Sequence, residues 1–150
     1  MSGFHFRLAK VMEWRRTELA LAETRFQRQT AAVAALDRAR AALDASALRA
    51  EMLVRDAPRI EGYDLAALDA FRRHVALRRS NLVATRAQAQ RDLDGLQAAM
   101  LNARRAFRLL ERLRDRRFAE WKQEADRELD QLASESHLAR LARQRRAADS

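Results

Sequence analysis

The chain is expected to be all-α: a long antiparallel two-helix coiled-coil hairpin with a C-terminal helical overhang. Three observations predict this. Apolar residues recur with the 4-3 spacing of a coiled coil through both halves of the 150 residues. Helix breakers gather in one place, where the lone proline, Pro58, stands four residues before Gly62. Charged residues make up 34% and aromatic residues 6%, and much of the apolar content is alanine, which brings little area to bury. That composition suits a seam between helices, not the core of a globule. A single coiled-coil domain is expected over 1–150, with a first helix over about 8–56, a turn over 57–64 and a second helix over about 65–146.

The first helix follows an aromatic, basic opening, Phe4-His-Phe-Arg-Leu8. Counting from Met12, the seam falls on Met12, Leu19, Ala22, Phe26, Val33, Leu36, Leu43, Ala47, Ala50 and Val54, interrupted by Arg15, Gln29 and Arg40. The segment Asp56-Ala-Pro-Arg-Ile-Glu-Gly-Tyr-Asp64 then ends it. Proline forbids a continuous helix, glycine eases the turn, and Asp64 can cap the next helix through its carboxylate. The second seam falls on Leu68, Val75, Leu82, Ala89, Leu93, Leu96, Met100, Ala103, Phe107 and Leu110, interrupted by Arg72, Arg79 and Arg86. Gly95 interrupts the second helix without ending it, at a cost of about 1 kcal/mol.

A fold near residue 61 pairs residues whose numbers add up to 122. Large side chains then meet small ones: Leu19 faces Ala103, Met100 faces Ala22, and Val33 faces Ala89. Phe26 faces Leu96 and Met12 faces Leu110. Each polar seam residue meets an apolar one, Arg15 with Phe107, Gln29 with Leu93, Arg40 with Leu82, Arg79 with Leu43 and Arg86 with Leu36. Each arginine can therefore lay its stem on its neighbour and carry its charge to water.

Beyond about Leu113 the second helix overshoots the first. Its apolar stripe shifts phase to Phe118, Trp121, Ala125, Leu129 and Leu132, a stutter that locally unwinds a coiled coil. In the same register Phe118 meets Phe4, so Phe4 and Phe6 are expected to fold back onto Phe118 and Trp121. Leu129 and Leu132 meet nothing in the chain, which marks them as a candidate partner surface. Ala147-Ala-Asp-Ser150 are expected to fray.

The chemistry of an enzyme is missing. There is no Cys for thiol catalysis, disulfides or metal thiolates. His5, His74 and His137 are too far apart to share a metal, and three scattered glycines build no phosphate loop. Glu124 and Glu128 lie one turn apart on an exposed face, where i,i+4 pairing with arginine is the ordinary outcome. No catalysis, cofactor, metal or small-molecule substrate is expected. The longest apolar run, Ala31 to Leu36, is far short of the roughly 20 residues of a membrane span. With no secretory signal pattern at the start, a cytoplasmic location is expected.

Basic residues number 30 against 21 acidic, a formal charge of +9, and all but Lys10 and Lys122 are arginine. They crowd between Arg104 and Arg117 and again at Arg140, Arg143, Arg145 and Arg146. An Arg-rich nucleic-acid-binding coiled coil is one reading. Against it, Glu111, Asp115 and Glu120 interleave the first cluster, and no base-reading module is present. An acidic or dipolar protein partner is the other reading, and no nucleic acid is expected.

Three stretches stand out together: Phe4 to Leu8 with Val11-Met12 and Arg15-Arg16; Gly62-Tyr-Asp-Leu65 with Leu68, Phe71 and Val75; and Arg104-Arg105 through Glu111 to Arg117, Glu120-Trp121 and Glu128-Leu-Asp130. They resemble the FliJ family, the small coiled-coil component of the bacterial flagellar type III export apparatus, with YscO-like counterparts in injectisomes. Trp121 stands where a tyrosine is commoner, which keeps an aromatic ring. The resemblance implies a central-stalk-like rod that docks in the hexameric export ATPase and links it to the cytoplasmic domain of the membrane export gate, with a further role in handling export chaperones. It implies a place in the cytoplasm, peripheral at the inner membrane. Carried onto this sequence, it implies an ATPase-contacting base of Phe4, Phe6, Arg112, Arg116, Arg117, Phe118 and Trp121, and gate contacts at Phe71 and Val75. Val75 is also a seam position opposite Ala47, and Phe71 is off the seam.

Overall fold

The computed structural model describes residues 3–148 and is a helical hairpin. Helix α1 runs Ala9–Arg55 and helix α2 runs Gly62–Ala148. The hairpin comprises two compact units. One is Glu18–Ala103; the other joins the described residues up to Thr17 with those from Arg104 onward.

The unit Glu18–Ala103 contains the fold point. Near the end of α1 the Asp56 N–H donates to the Met52 carbonyl at 2.9 Å, and the Ala57 N–H to the Val54 carbonyl at 3.4 Å, a tightened last turn. Pro58 then brings no N–H and excludes Ala57 from helical backbone. Helix α2 starts at Gly62, three residues earlier than the sequence suggested, because Asp64 caps from within the helix. Its carboxylate accepts the Glu61 N–H at 3.0 Å, while the Glu61 carbonyl accepts the N–H groups of Asp64 and Leu65. Glu61 is thus the cap position and Asp64 supplies the back-reaching half of a capping box. No described glycine has a positive φ, so the turn does not draw on the freedom of Gly62.

The seam lies where the 4-3 count puts it. Val33, Val75 and Met100 are buried, and the other seam residues of this unit are half-buried, with Arg40 and Arg72 as the exposed exceptions. Leu36, Arg40, Leu82 and Arg86 line one shallow recess, which is the expected pairing of Leu36 with Arg86 and of Arg40 with Leu82. Gln29 settles its polar end by donating from Nε2 to the Ala89 carbonyl at 2.9 Å, across the seam. Gly95 is helical, and a Cβ there would meet nothing within 4 Å, so no packing demand explains it.

The three α2 seam arginines do not simply reach water. Arg72 pairs with Glu51 at 3.0 Å, Arg79 with Asp44 at 2.6 Å and Arg86 with Asp37 at 2.9 Å. Each acid follows the apolar residue that the arginine stem covers, and both sets step by seven residues. These rungs run antiparallel, the direction that the turn imposes. They are half-exposed, so each one stabilises only weakly and less as salt rises. The Arg86 guanidinium, donating to Asp37, holds that carboxyl below its ordinary value; nearby Arg40 acts in the same direction.

The other unit holds the start of α1, where Met12 is buried. The first turn of α1 has no acidic residue, but the chain is turned into it by the Ala9 N–H donating to the Phe6 carbonyl at 3.1 Å. Arg16 lies over the Phe107 ring at 5.5 Å, where Arg15 was expected; Arg15 lies over Trp14 at 4.7 Å. Of the segment expected to fray, Ala147 and Ala148 are the last residues of α2, and Asp149 and Ser150 lie outside the described residues. No described helix is long and apolar enough to cross a membrane.

Two outcomes test this fold. Cysteines at Ala22 and Met100 should cross-link within one chain on oxidation, whereas cysteines at Ala22 and the exposed Gln97 should not; the reverse result on a non-reducing gel would discard the register. Asp37→Asn should lower stability at neutral pH. Because Asp37 is held below its ordinary value of about 3.9, its contribution is complete above that pH and is lost as pH falls through the lower folded value. The urea-melt gap from wild type should therefore close below about pH 4.

Candidate functional site

The site is built from a short arm and one helical turn. Residues 3–6 carry no regular structure and run beside α2. Phe4 meets Phe118 edge-on, with ring centres 5.2 Å apart and planes at 79°, and meets Trp121 at 5.9 Å. Phe118 and Trp121, three residues apart on α2, stack at 5.7 Å and 28°. These separations lie inside the range in which aromatic pairs contribute about 0.5–1.5 kcal/mol beyond simple burial. The expected fold-back of Phe4 is therefore observed. Phe6 is half-buried beside this cluster and lines the same recess, without stacking on either ring.

The clasp is open on one side. Phe118 keeps 46% of its surface exposed. An open recess of about 810 Å³ lies between the arm and α2, walled by Phe4, Phe6, Leu113 and Trp121 and rimmed by His5, Arg7, Arg117, Glu120 and Glu124. Its rim is of mixed sign. Arg117 donates to Glu120 at 3.0 Å, one turn along the helix. One turn beyond Trp121, Ala125 is buried, and Gly3 and Glu124 share the recess, so the arm reaches that level of α2.

The seven residues expected at an ATPase-contacting base do not form one patch. Phe4, Phe6, Arg117, Phe118 and Trp121 come together. Arg112 lies nine residues before Trp121, about two and a half turns, and Arg116 lies two before Phe118; both project from the far side of α2. Nearby, Arg114 is paired with Asp115 at 2.9 Å. The acids Glu120 and Glu124 were not anticipated in the recess. Their positions, one before and three after Trp121, put them beside its ring on a helix and could have flagged them.

Of the two gate candidates, Val75 is 3% exposed and belongs to the seam. Phe71 is half-buried, with its ring 6.5 Å from that of His74. The fold point carries apolar side chains that the seam count passes over: Leu53, Ile60, Tyr63 and Leu65 are all at least half exposed, Tyr63 at 81%. Among the described residues no group of three or more His, Cys, Asp or Glu could hold a metal ion.

No family model, curated protein or solved structure matches the chain.

The clasp makes a direct prediction. In a Trp14→Phe background, which leaves Trp121 as the only tryptophan, Phe4→Ala should shift the Trp121 emission to the red and raise its quenching by acrylamide, with helicity unchanged. An unaltered spectrum would mean that the arm does not cover Trp121.

Proposed function

We propose that this chain is a FliJ-like component of a bacterial type III protein export apparatus. In this reading it docks in a hexameric export ATPase through the end built from the amino-terminal arm and α2, and meets the cytoplasmic domain of the membrane export gate through the surface around Phe71. The observation that carries the reading is the clasp of Phe4, Phe118 and Trp121. It unites the first and third of the stretches that resemble the family, residues more than a hundred positions apart, in one half-open aromatic surface. The hairpin architecture is the one the resemblance calls for.

The physics of such docking is ordinary. Aromatic rings that are ordered before binding lose little freedom on contact, and Arg117 can bond carboxylates or carbonyls lining a ring of subunits. Val75 has no part in it beyond packing. Arg112 and Arg116, on the far side of α2, can contact a partner only if it surrounds the helix, as a ring would.

Co-purification with the export ATPase and stimulation of its ATP hydrolysis test the reading. Phe118→Ala with Trp121→Ala should reduce stimulation at least about tenfold, while Phe71→Ala should leave it intact and weaken binding to the gate domain. Unchanged stimulation in the double variant would overturn the docking assignment. Salt-sensitive binding to duplex or RNA, with no binding to the ATPase, would replace the whole reading with the nucleic-acid one.

A further inference from the structure

The part of α2 past Ala125 buries no side chain among the described residues. Every described residue from Asp126 to Ala148 is exposed, including Leu129 and Leu132 at 54% and 60%. A helix this long with no packed face gains nothing from tertiary burial, and isolated helices are marginal in water. Its charges are sorted along its length. From Glu124 to Glu135 there are five acids, Glu124, Asp126, Glu128, Asp130 and Glu135, against Arg127 alone. From Ser136 to Ala148 there are four arginines, Arg140, Arg143, Arg145 and Arg146, and no acid. No ion pair within the described residues engages Asp126, Glu128, Arg140 or Arg143.

A segment that is acidic at one end and basic at the other complements itself when reversed. We infer that two copies of this chain pair antiparallel through α2 residues 126–148. The 4-3 count continues there as Leu129, Leu132, Ser136, Ala139 and Arg143. Reversing one copy so that Leu129 lies over Ala139 also sets Leu132 over Ser136, again large on small, and two-fold symmetry repeats each pair. The same alignment sets Glu128 opposite Arg140. It also brings Arg143 beside Asp126, with the one-residue offset by which Arg72, Arg79 and Arg86 reach their acids inside the hairpin. A parallel pairing would put acid on acid and arginine on arginine. The inference does not depend on the export reading.

Charge-sorted variants test this without disturbing the hairpin, since every altered side chain is exposed. Arg140→Glu with Arg143→Glu puts acid on acid at both charge pairs of the proposed dimer; Asp126→Arg with Glu128→Arg puts arginine on arginine at both. By sedimentation velocity at low salt, wild type should show a concentration-dependent dimer that weakens as salt rises. Each variant alone should dissociate at least about tenfold more readily, and an equimolar mixture should restore the dimer. Circular dichroism on each variant checks that the hairpin helicity is retained. A wild type that stays monomeric at every concentration, variants that dimerise as well as wild type, or a mixture that fails to recover would each overturn the inference.

Discussion

Two helices packed on one another can hide only one stripe each, and everything in this protein follows from that economy. There is no third layer to cover a second face, so the buried set among the described residues is small: Met12, Val33, Val75, Met100 and Ala125. Most seam side chains remain half in water. Burial at this level stabilises weakly per residue, so the seam must be long to hold at all. It also leaves room for arginine inside the seam, because a guanidinium is never more than one side chain from solvent.

That tolerance explains the rungs. An arginine stem can lie on the opposing leucine or alanine while its head finds the next acid along. Each such pair adds little on its own. What it adds is sign and phase: basic residues on one helix meet acidic residues on the other at the same heptad step, while the tight turn sets the antiparallel direction. Gln29 plays a related part, spending its hydrogen-bonding capacity on a backbone carbonyl across the seam where a leucine would have packed better.

Much of this was legible in the residues. The period of the apolar positions, the single breaker cluster and the large-against-small arithmetic were enough to give the hairpin, its register and the contact of Phe4 with Phe118. The acids of the ladder were missed although Asp37, Asp44 and Glu51 step by seven, because a count of apolar residues is blind to the positions beside them. The start of α2 was misjudged because a carboxylate at the third helical position can do the work assigned to one at the cap. Arg112 and Arg116 were grouped with Trp121 by the family resemblance, where helical phase separates them from its ring. That Gly3 shares a recess with Glu124 depends on how far an irregular arm extends, which no periodic pattern encodes.

The ladder has a repeat, and a repeat is a scale with identical graduations. If α2 slid by one heptad, Arg79 would meet Glu51 and Arg86 would meet Asp44, so two of three rungs would re-form. The ion pairs by themselves cannot tell neighbouring settings apart. What forbids the slip is the short tether of Asp56 to Glu61, which has no slack to give, together with the unrepeated bond from Gln29. A loop seven residues longer would turn a fixed hinge into a clutch, with the two helices free to catch at either tooth.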